Sequence, residues 1–417
     1  MGGARKSFSG LALIVASSSF MAAVAEPSPP VKTIFIRAGK LVDVVVGKTL
    51  IDQVIVIEGE SIKAVGAAAT IRVPTGAEVI DLSRATVLPG LIDVHTHLTG
   101  DPTQHGYKSL AISDVRAALY GVRAARLTVE AGFTSVRNVG AEGFGDVALR
   151  DAINAGDFIG PRMLVSTYAL GIKGGHCDNN LLPHDFEYTG RGVADGPWAA
   201  RTKVREMVKY GADLIKICAS GGVLSKGDEP GAQQYTLEEM KAIVDEAHKL
   251  GRKVAAHAHG TSSIRDAILA RERGTWLAMD IYNDDYILAK GEKAGFLPES
   301  LEKERKLGQL QRDNFKKAFL GGARMAFGTD SGVYPHGDNA KQFFYMVKYG
   351  MSNMQAIQAA TINAADLMGW KDRVGSISTG KFADIIAISE DPAQDATRLT
   401  NVGFVMKGGR VLKSFTP

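Results

Sequence analysis

The sequence predicts an α/β protein, a TIM-type (β/α) barrel with a small β-sandwich formed by both chain ends. Between residues 86 and 372, apolar segments of strand length alternate with segments of helical periodicity, which is typical of a parallel sheet with crossover helices. This part has roughly 290 residues, and TIM-type barrels typically have about 250. Near both ends of the chain, polar and apolar residues alternate instead with a period of two, which indicates short antiparallel strands.

The first residues have the pattern of a secretory signal peptide. Arg5 and Lys6 precede an apolar stretch at residues 11–20, and Ala-Val-Ala at residues 23–25 is a small-x-small cleavage pattern. The stretch is too short to span a membrane. We therefore expect residues 1–25 to be removed and the protein to be periplasmic or secreted.

Charge and cysteine content restrict the class of protein further. Without the predicted leader, 47 basic residues stand against 45 acidic ones, a net charge of +2. Nothing in this balance suggests nucleic acid or an anionic membrane as a partner, so we expect a small-molecule substrate and allow for a homo-oligomer. Cys177 and Cys218 are too few for a disulfide framework; they could form one bridge or remain buried thiols, and we favour thiols.

Four segments near the chain ends carry the period-two alternation: residues 33–37, 54–65, 384–388 and 402–412. Neither end is large enough to bury much of a core by itself. We therefore predict that residues 26–85 and 373–417 together form one β-sandwich. The barrel, residues 86–372, would be inserted between them.

Seven segments are predicted as barrel strands: residues 91–95, 134–139, 162–166, 213–219, 253–259, 275–282 and 324–329. Helical patterns, such as residues 237–250, lie between them. In a TIM-type barrel the chemistry takes place at the carboxyl ends of the strands. Several of these strands do end in polar residues.

Residues that commonly bind metals lie at the ends of the barrel strands. His95 and His97 are two positions apart and point to the same side of one strand, so both imidazoles can bind one metal ion, by default Zn²⁺. His257 and His259 repeat this spacing, and Asp330 directly follows another strand. Each alone is as readily explained as a capping or core residue. Together with Lys216, they place such residues on four strands and favour a metal centre.

Lys216 lies inside an otherwise apolar strand. An unpaired ammonium group there would be costly. Such a lysine commonly serves as a Schiff base, as a general base or, when modified, as a metal ligand. A lysine that extends to solvent from a strand end is the structural alternative.

These segments resemble the amidohydrolase superfamily, metal-dependent hydrolases with a TIM barrel and a flanking β-sandwich. The resemblance rests on Leu-Pro-Gly-Leu-Ile-Asp-Val-His-Thr-His at 88–97, Ile-Lys at 215–216, Ala-His-Ala-His-Gly at 256–260, Gly-Thr-Asp at 328–330 and Gly-Lys-Phe-Ala-Asp-Ile-Ile at 380–386. Residues 174–178, 216–223 and 334–339 are most similar to the secreted, prolidase-like Xaa-Pro and Xaa-Arg/Lys dipeptidases and to ochratoxin-hydrolysing amidases.

The resemblance implies a hydrolase with two metal ions that attacks an amide bond through a metal-bound hydroxide. His95, His97 and Asp330 would hold one metal. Lys216, carboxylated on its amine, would bridge to a second metal that His257 also binds. Asp330 would take the proton of the hydroxide and pass it to the leaving amine.

Other residues are implied in the substrate pocket. His176 would polarise the scissile carbonyl or stabilise the oxyanion. Tyr235 would donate a hydrogen bond to the free carboxylate of a dipeptide. His259, Arg137 and His336 are further candidates for substrate binding.

One strand of the expected eight has no counterpart in this sequence. In the family, the interval after the strand that ends at His257 also holds a strand with a histidine ligand, commonly in an Ile-Glu-His sequence. Here the interval up to Met279 has room for one helix, residues 262–273, and no histidine lies between His259 and Met279. The sequence therefore predicts a barrel that lacks one βα unit. Its second metal would have only Lys216 and His257 as ligands.

Three hypotheses for function follow. The first is a metallo-amidohydrolase that cleaves dipeptides, of the Xaa-Pro or Xaa-Arg/Lys type, or N-acyl amino acids. The second is a degenerate member of the family with impaired or no catalysis. The third, a phosphate-binding barrel lyase with Lys216 as a Schiff base, is disfavoured because it leaves both histidine pairs and Asp330 without a role.

Overall fold

The computed structural model describes residues 32–259 and 273–415. The predicted signal peptide, residues 1–25, lies outside these ranges, as does nearly all of the predicted helix at residues 262–273. Within the described ranges, no helix has the length and apolar character needed to cross a membrane.

The strands of the described ranges are β1 (Thr33–Asp43), β2 (Lys48–Glu58), β3 (Ser61–Ala67), β4 (Glu78–Pro89), β5 (Leu91–Thr96), β6 (Phe133–Asn138), β7 (Arg162–Val165), β8 (Leu214–Cys218), β9 (Lys253–His257), β10 (Trp276–Ala278), β11 (Arg324–Ala326), β12 (Ile385–Ile388), β13 (Phe404–Lys407) and β14 (Arg410–Lys413). The α-helices are α1 (Asp114–Glu130), α2 (Gly145–Ala155), α3 (Pro197–Lys209), α4 (Leu237–Lys249), α5 (Asn283–Ala294), α6 (Pro298–Leu320), α7 (Gln342–Lys348), α8 (Asn353–Gln358) and α9 (Ala364–Met368).

Both chain ends contribute to one seven-stranded sheet, in the order β14-β13-β12-β4-β1-β2-β3. β1 and β4 are parallel, and the other neighbours are antiparallel. The predicted β-sandwich of both chain ends stays a prediction, and its described strands form one continuous hydrogen-bonded sheet. The reason is the length of β4, which pairs with β1 along residues 78–87 and with β12 along residues 86–89. It therefore joins the two chain ends edge to edge.

The remaining strands, β5 to β11, are parallel and follow each other in sequence order. They form four short ladders in three sheets, β5-β6-β7, β8-β9 and β10-β11. Backbone hydrogen bonds connect these ladders: Val94 N donates to Phe327 O at 2.9 Å, and Asp213 N donates to Val165 O at 2.8 Å. Crossover helices such as α1 and α4 lie between the strands in the chain. The arrangement is of the TIM-barrel type.

The ring of strands is open between β9 and β10 in the described part of the chain. No ladder joins these two strands there. β5 and β8 are almost wholly buried, whereas every residue of β9 and β10 is partly or fully exposed. The predicted loss of a βα unit falls in this interval and stays a prediction, since residues 260–272 lie outside the described ranges.

Helix α4 shows how local sequence fixes the barrel wall behind Lys216. Thr236 caps its first turn, accepting from Glu239 N at 3.2 Å, while Glu239 Oε2 accepts from Thr236 N at 2.8 Å. One face of the helix, which includes Ile243, is buried in a cluster that also contains Ile215 of β8. This packing holds β8 in place.

A buried acidic pair connects α5 and α6. Asp284 and Glu304 are only 2% and 3% exposed, and the two carboxylates meet beside Gly308, where a β-carbon would lie 2.7 Å from Glu304 Oε1 and 3.2 Å from Asp284 Oδ2. Burial and then the charge of Glu304 raise the pKa of Asp284 to about 9, although Arg312 Nε lies 3.1 Å from Asp284 Oδ2 and opposes the shift. Burial also raises the pKa of Glu304. We conclude that the pair holds one proton at neutral pH.

This pair should make the protein less stable as the pH rises. The unfolded chain releases the proton near pH 4 and the folded chain near pH 9, so the folded state binds more protons between these values and its stability falls across them. Asp284→Asn should flatten this decline and, at pH 8, raise the free energy of unfolding by at least about 1 kcal/mol, the value of one pKa unit. Urea unfolding at pH 6 and pH 8 measures both effects.

Asp313→Asn is the matched control, because Asp313 is an exposed carboxylate on the same helix as Glu304. It should keep the wild-type pH dependence. A wild-type protein that is equally stable at pH 6 and pH 8 would contradict the shared proton.

Candidate metal centre and active site

The carboxyl ends of β5 and β11 bring His95, His97 and Asp330 together. His95 Nε2 lies 3.3 Å and His97 Nε2 lies 3.1 Å from the same Asp330 oxygen, Oδ1. One ligand atom from each residue lies within 4.8 Å of the other two. Among the residues that the structure describes, no other three His, Cys, Asp or Glu side chains converge in this way.

Gly140 orients the ring of His97. Nδ1 lies 3.2 Å from the carbonyl oxygen of Gly140, so Nδ1–H donates there and the Nε2 lone pair faces Asp330. A β-carbon at Gly140 would lie 2.8 Å from Cε1 of the ring. Only glycine therefore leaves room for this orientation.

Asp330 has an unusual backbone conformation. Its φ is 57°, in the left-handed region that residues other than glycine rarely adopt. Asp330 N donates to His95 O at 2.8 Å, and the next residue, Ser331, accepts from His97 N at 2.7 Å. Such strain persists where the surrounding structure imposes it, often at functional sites.

Asp93 supports this arrangement from the barrel interior, and sequence reasoning did not assign it a role. The side chain is fully buried. Oδ1 accepts from His95 N at 3.1 Å, and Oδ2 accepts from Thr329 Oγ1 at 2.5 Å and Asn339 Nδ2 at 2.7 Å. Burial raises the pKa of Asp93 to about 7 in spite of these hydrogen bonds. Asp93 thus ties β5 to the segment after β11.

The chemistry of His95, His97 and Asp330 fits a divalent metal ion. Burial, and then the charge of Lys216, lowers the pKa of His95 to about 4, so this imidazole is neutral at pH 7. Burial opposes ionisation of Asp330, but the two histidines outweigh it and hold the pKa of Asp330 well below its usual range. Neutral imidazole nitrogens and a carboxylate are a common zinc donor set.

Lys216 of β8 is 5% exposed and carries a free amine. Its Nζ makes no hydrogen bond or ion pair with the described residues. Burial lowers the pKa of Lys216 to about 8; the charge of Asp330 opposes this shift and that of Arg137 adds to it. Lys216 therefore lies within electrostatic range of Asp330.

Three further histidines form a second group, within electrostatic range of Lys216 and Asp330. We call the space between this group, Lys216 and Asp330 the cleft. The rings of His176 and His257 are stacked with centroids 4.2 Å apart, and the ring of His259 lies 4.7 Å from that of His257. His257 Nε2 lies 3.1 Å from Gly221 O, which leaves Nδ1 as the metal-facing candidate. Burial lowers the pKa of all three, that of His176 to about 4, and the charge of Lys216 acts on each.

Asp280 is a carboxylate of this cleft that sequence reasoning missed. It follows β10, and its Oδ2 accepts from Asn283 Nδ2 at 2.5 Å. Burial, and then the charge of Asp330, raises the pKa of Asp280 well above its usual value, and Asp280 in turn acts on Lys216. Asp280 lies just past the end of β10, and this position could have identified it. The sequence instead predicted a strand that extended to residue 282, which placed Asp280 inside the strand.

Three predicted substrate residues lie elsewhere or have other partners. Tyr235 is fully buried and its hydroxyl donates to Ala194 O at 3.2 Å, so the prediction that it binds a substrate carboxylate is not supported by its position in the core. His336 is 5% exposed, with Nε2 3.0 Å from Gly100 O, behind His97. Arg137 Nε donates to Val94 O at 2.6 Å, and burial lowers its pKa to about 10.

Cys177 and Cys218 form a disulfide, so the favoured prediction of free thiols was wrong. The bridge connects residues 41 apart in the chain, with 5.9 Å between the Cα atoms. It ties the loop that carries His176 to the end of β8, two residues beyond Lys216.

Comparisons with known proteins agree with this geometry. A model of the amidohydrolase family matches residues 86–413. The chain belongs to the amidohydrolase family. Ochratoxinase of Aspergillus niger is 32% identical over 411 residues, which cover 88% of this chain and 84% of that protein.

Solved structures show the same relationship. A Xaa-Pro dipeptidase with methionine bound in its active site has a TM-score of 0.86 at 35% identity, covering 92% of this chain and 100% of that one. Ochratoxinase of A. niger has a TM-score of 0.82 at 29% identity, covering 93% and 97%. These relatives place the protein in the prolidase and ochratoxinase branch and support a hydrolase that acts on amide bonds.

The glycine beside His97 gives a direct test of the metal centre. Gly140→Ala should displace the ring and weaken Zn²⁺ binding by a factor of about 10–100, the usual effect of changing a residue that orients a ligand. Competition with a chromophoric chelator measures the affinity. Gly66→Ala, in β3 of the seven-stranded sheet, is the control and should leave the Zn²⁺ affinity unchanged. Equal affinity in both variants would show that His97 is not a ligand in this orientation.

Proposed function

We propose that the protein is a metal-dependent amide hydrolase that cleaves dipeptides, of the Xaa-Pro or Xaa-Arg/Lys type, or N-acyl amino acids. The observation that carries this proposal is the convergence of His95, His97 and Asp330 beside the free, buried amine of Lys216. The relatives support the substrate class, since they include a Xaa-Pro dipeptidase, an ochratoxinase and a prolidase in complex with N-methylphosphonate-L-proline.

His95, His97 and Asp330 would hold one metal ion, with Zn²⁺ the first candidate, and Lys216 and His257 would hold a second. A bound ion of this kind supplies an activated water and polarises a carbonyl. Asp330 is kept ionised by its two imidazole neighbours, so it can accept a proton at Oδ1 and return it to the leaving amine.

Lys216 would act in a carboxylated form. Only a neutral amine attacks CO₂, forming an N–C bond and releasing one proton. A pKa of about 8, lowered by burial, leaves part of the Lys216 population neutral at pH 7. The resulting carbamate offers two oxygens and could bridge two metals.

Asp280 favours a substrate with a positive charge. It adds a second carboxylate to the cleft near Asp330, and burial together with the charge of Asp330 raises its pKa, so a further positive charge nearby would favour its ionised form. A Lys or Arg side chain, or the ammonium group of a dipeptide, would supply this charge.

Export to an oxidising compartment is part of the proposal. The disulfide between Cys177 and Cys218 supports it, because disulfides are rare in reducing cytosol. The leader pattern at residues 1–25 points the same way.

A second candidate function is a degenerate protein with one metal and little catalysis. It is favoured by the single three-residue ligand group of the described ranges and by the absence there of a ladder between β9 and β10. Metal analysis of the purified protein separates the two: two ions per chain support the hydrolase, and one or none supports the degenerate form.

Peptide hydrolysis by the Zn²⁺-loaded chain tests the proposal. We expect release of amino acids from Ala-Pro, Ala-Lys and Ala-norleucine, with Ala-Lys preferred over the uncharged norleucine peptide. Asp330→Asn should lower kcat by a factor of about 10²–10⁴, because it keeps the shape but removes the proton acceptor. Asp313→Asn, which alters an exposed carboxylate, should leave kcat unchanged. Failure to cleave any member of the panel, or an Asp330→Asn variant with most of its kcat, would refute the assignment.

Lys216→Ala tests the carboxylated lysine. The variant should lose activity and part of its metal, and short-chain carboxylic acids should restore some of both by replacing the bridging carboxylate. Lys241→Ala, at an exposed position of α4, is the control. Absence of rescue, combined with a borohydride-trapped adduct on Lys216, would favour the Schiff-base lyase instead.

A further inference from the structure

We propose that Ser225 and Asp228 are positioning residues that hold His176 as its Nδ1–H tautomer, so that Nε2 offers a lone pair to the ammonium group of a dipeptide. The proposal rests on the proposed function and narrows its substrate class. It also changes the role of His176, since a neutral ring in this tautomer cannot donate to a carbonyl or an oxyanion from Nε2.

The distances fix the direction of the hydrogen bonds. His176 Nδ1 lies 2.8 Å from Ser225 Oγ, and Ser225 Oγ lies 2.6 Å from Asp228 Oδ1. A carboxylate only accepts, so the single hydroxyl proton of Ser225 goes to Asp228. Ser225 Oγ can then only accept from the ring, which requires a proton on His176 Nδ1. The alternative acceptor for the hydroxyl, Gly222 O at 3.2 Å, is farther away and uncharged.

Asp228 is held as a carboxylate by several donors. Lys303 Nζ donates to Oδ1 at 2.9 Å, while Gln234 Nε2 and Gly222 N donate to Oδ2 at 3.1 and 3.2 Å. Burial opposes ionisation, but the hydrogen bonds from Ser225 and Lys303 outweigh it and lower the pKa of Asp228. Lys303 lies on α6, so this network ties the loop to the barrel wall.

Packing prevents the His176 ring from turning away from Ser225. One face stacks on His257 at 4.2 Å, and a β-carbon on Gly222 would overlap the ring. The disulfide between Cys177 and Cys218 anchors the next residue in the chain. Ring orientation and tautomer are therefore both determined by the protein.

The other ring nitrogen is available to a ligand. His176 Nε2 makes no hydrogen bond with the described residues, and the side chain is only partly buried. The charges of Lys216 and Asp330 act on this ring, which places it in the cleft. An unprotonated ring nitrogen accepts a hydrogen bond, so the group that it binds must be a hydrogen-bond donor. A Xaa-Pro substrate has no N–H at the scissile bond, which leaves the free ammonium group as the donor that all these dipeptides share.

Histidine ¹⁵N NMR of the full, Zn²⁺-loaded chain tests the tautomer without any assay of activity. His176 is assigned by comparison with His176→Gln. We expect a protonated Nδ1 and a bare Nε2 in the wild type and in Ser225→Thr, and loss of this pattern in Ser225→Ala. A wild-type ring protonated at Nε2, alone or together with Nδ1, would overturn the proposal.

Kinetics separate this positioning role from general damage. Ser225→Ala should raise KM for Ala-Lys about tenfold, the effect of one weakened hydrogen bond to a charged group, with a smaller change in kcat. N-acetyl-Ala-Lys, which lacks the α-ammonium group, should be cleaved equally by the wild type and by Ser225→Ala, and Ser225→Thr should have the wild-type KM.

An unchanged KM for Ala-Lys in Ser225→Ala, or an equal loss of activity on both substrates, would overturn the proposed contact. A chain with the expected tautomer but no hydrolysis of any peptide would refute the proposed function and leave the tautomer assignment standing.

Discussion

The short backbone pairing between β5 and the segment after β11 is the constraint on which the site depends. Val94 N, His97 N and Asp330 N each form a hydrogen bond across this junction, at 2.9, 2.7 and 2.8 Å. Because side chains alternate along a strand, a slip of one residue would turn both histidines away from Asp330. The buried carboxylate of Asp93 opposes such a slip, since it contacts β5 through His95 N and the other segment through Thr329.

The same junction also places two carboxylates, Asp330 and Asp280, within electrostatic range of each other. It places Asp330 between two imidazoles, and Asp280 is a carboxylate whose ionisation is disfavoured by burial and by the charge of Asp330. The positive groups inside, Lys216 and Arg137, have their pKa lowered by burial. A metal ion or a substrate ammonium group would relieve the repulsion between the carboxylates. The proposed metal binding and the proposed preference for a charged substrate would therefore draw on the same electrostatics.

Residues whose role follows from local spacing could be predicted from the sequence, and residues whose role depends on a distant partner could not. The period-two histidine pair and Asp330 were found because strand ends are visible in the pattern. The disulfide of Cys177 was missed because its partner is 41 residues away, and the hydrogen bond of the Tyr235 hydroxyl was not foreseen because its partner, Ala194, is 41 residues away as well. The single terminal sheet likewise depends on β4 pairing on both sides, which alternation alone does not reveal.

In the described ranges, the side of β9 that lacks a ladder adjoins His257, the candidate ligand of the proposed second metal. β9 carries His257, and in the described ranges its ladder is with β8 alone. A strand inside a closed barrel pairs on both sides, and every residue of β9 is partly or fully exposed. Within the described ranges, His257 also contacts the stacked His176 ring and the carbonyl oxygen of Gly221, both on the side of β8. The network of Ser225 and Asp228 that orients His176 therefore also supports His257 through the stacked rings, and the loop after β8 contributes to the position of this candidate ligand.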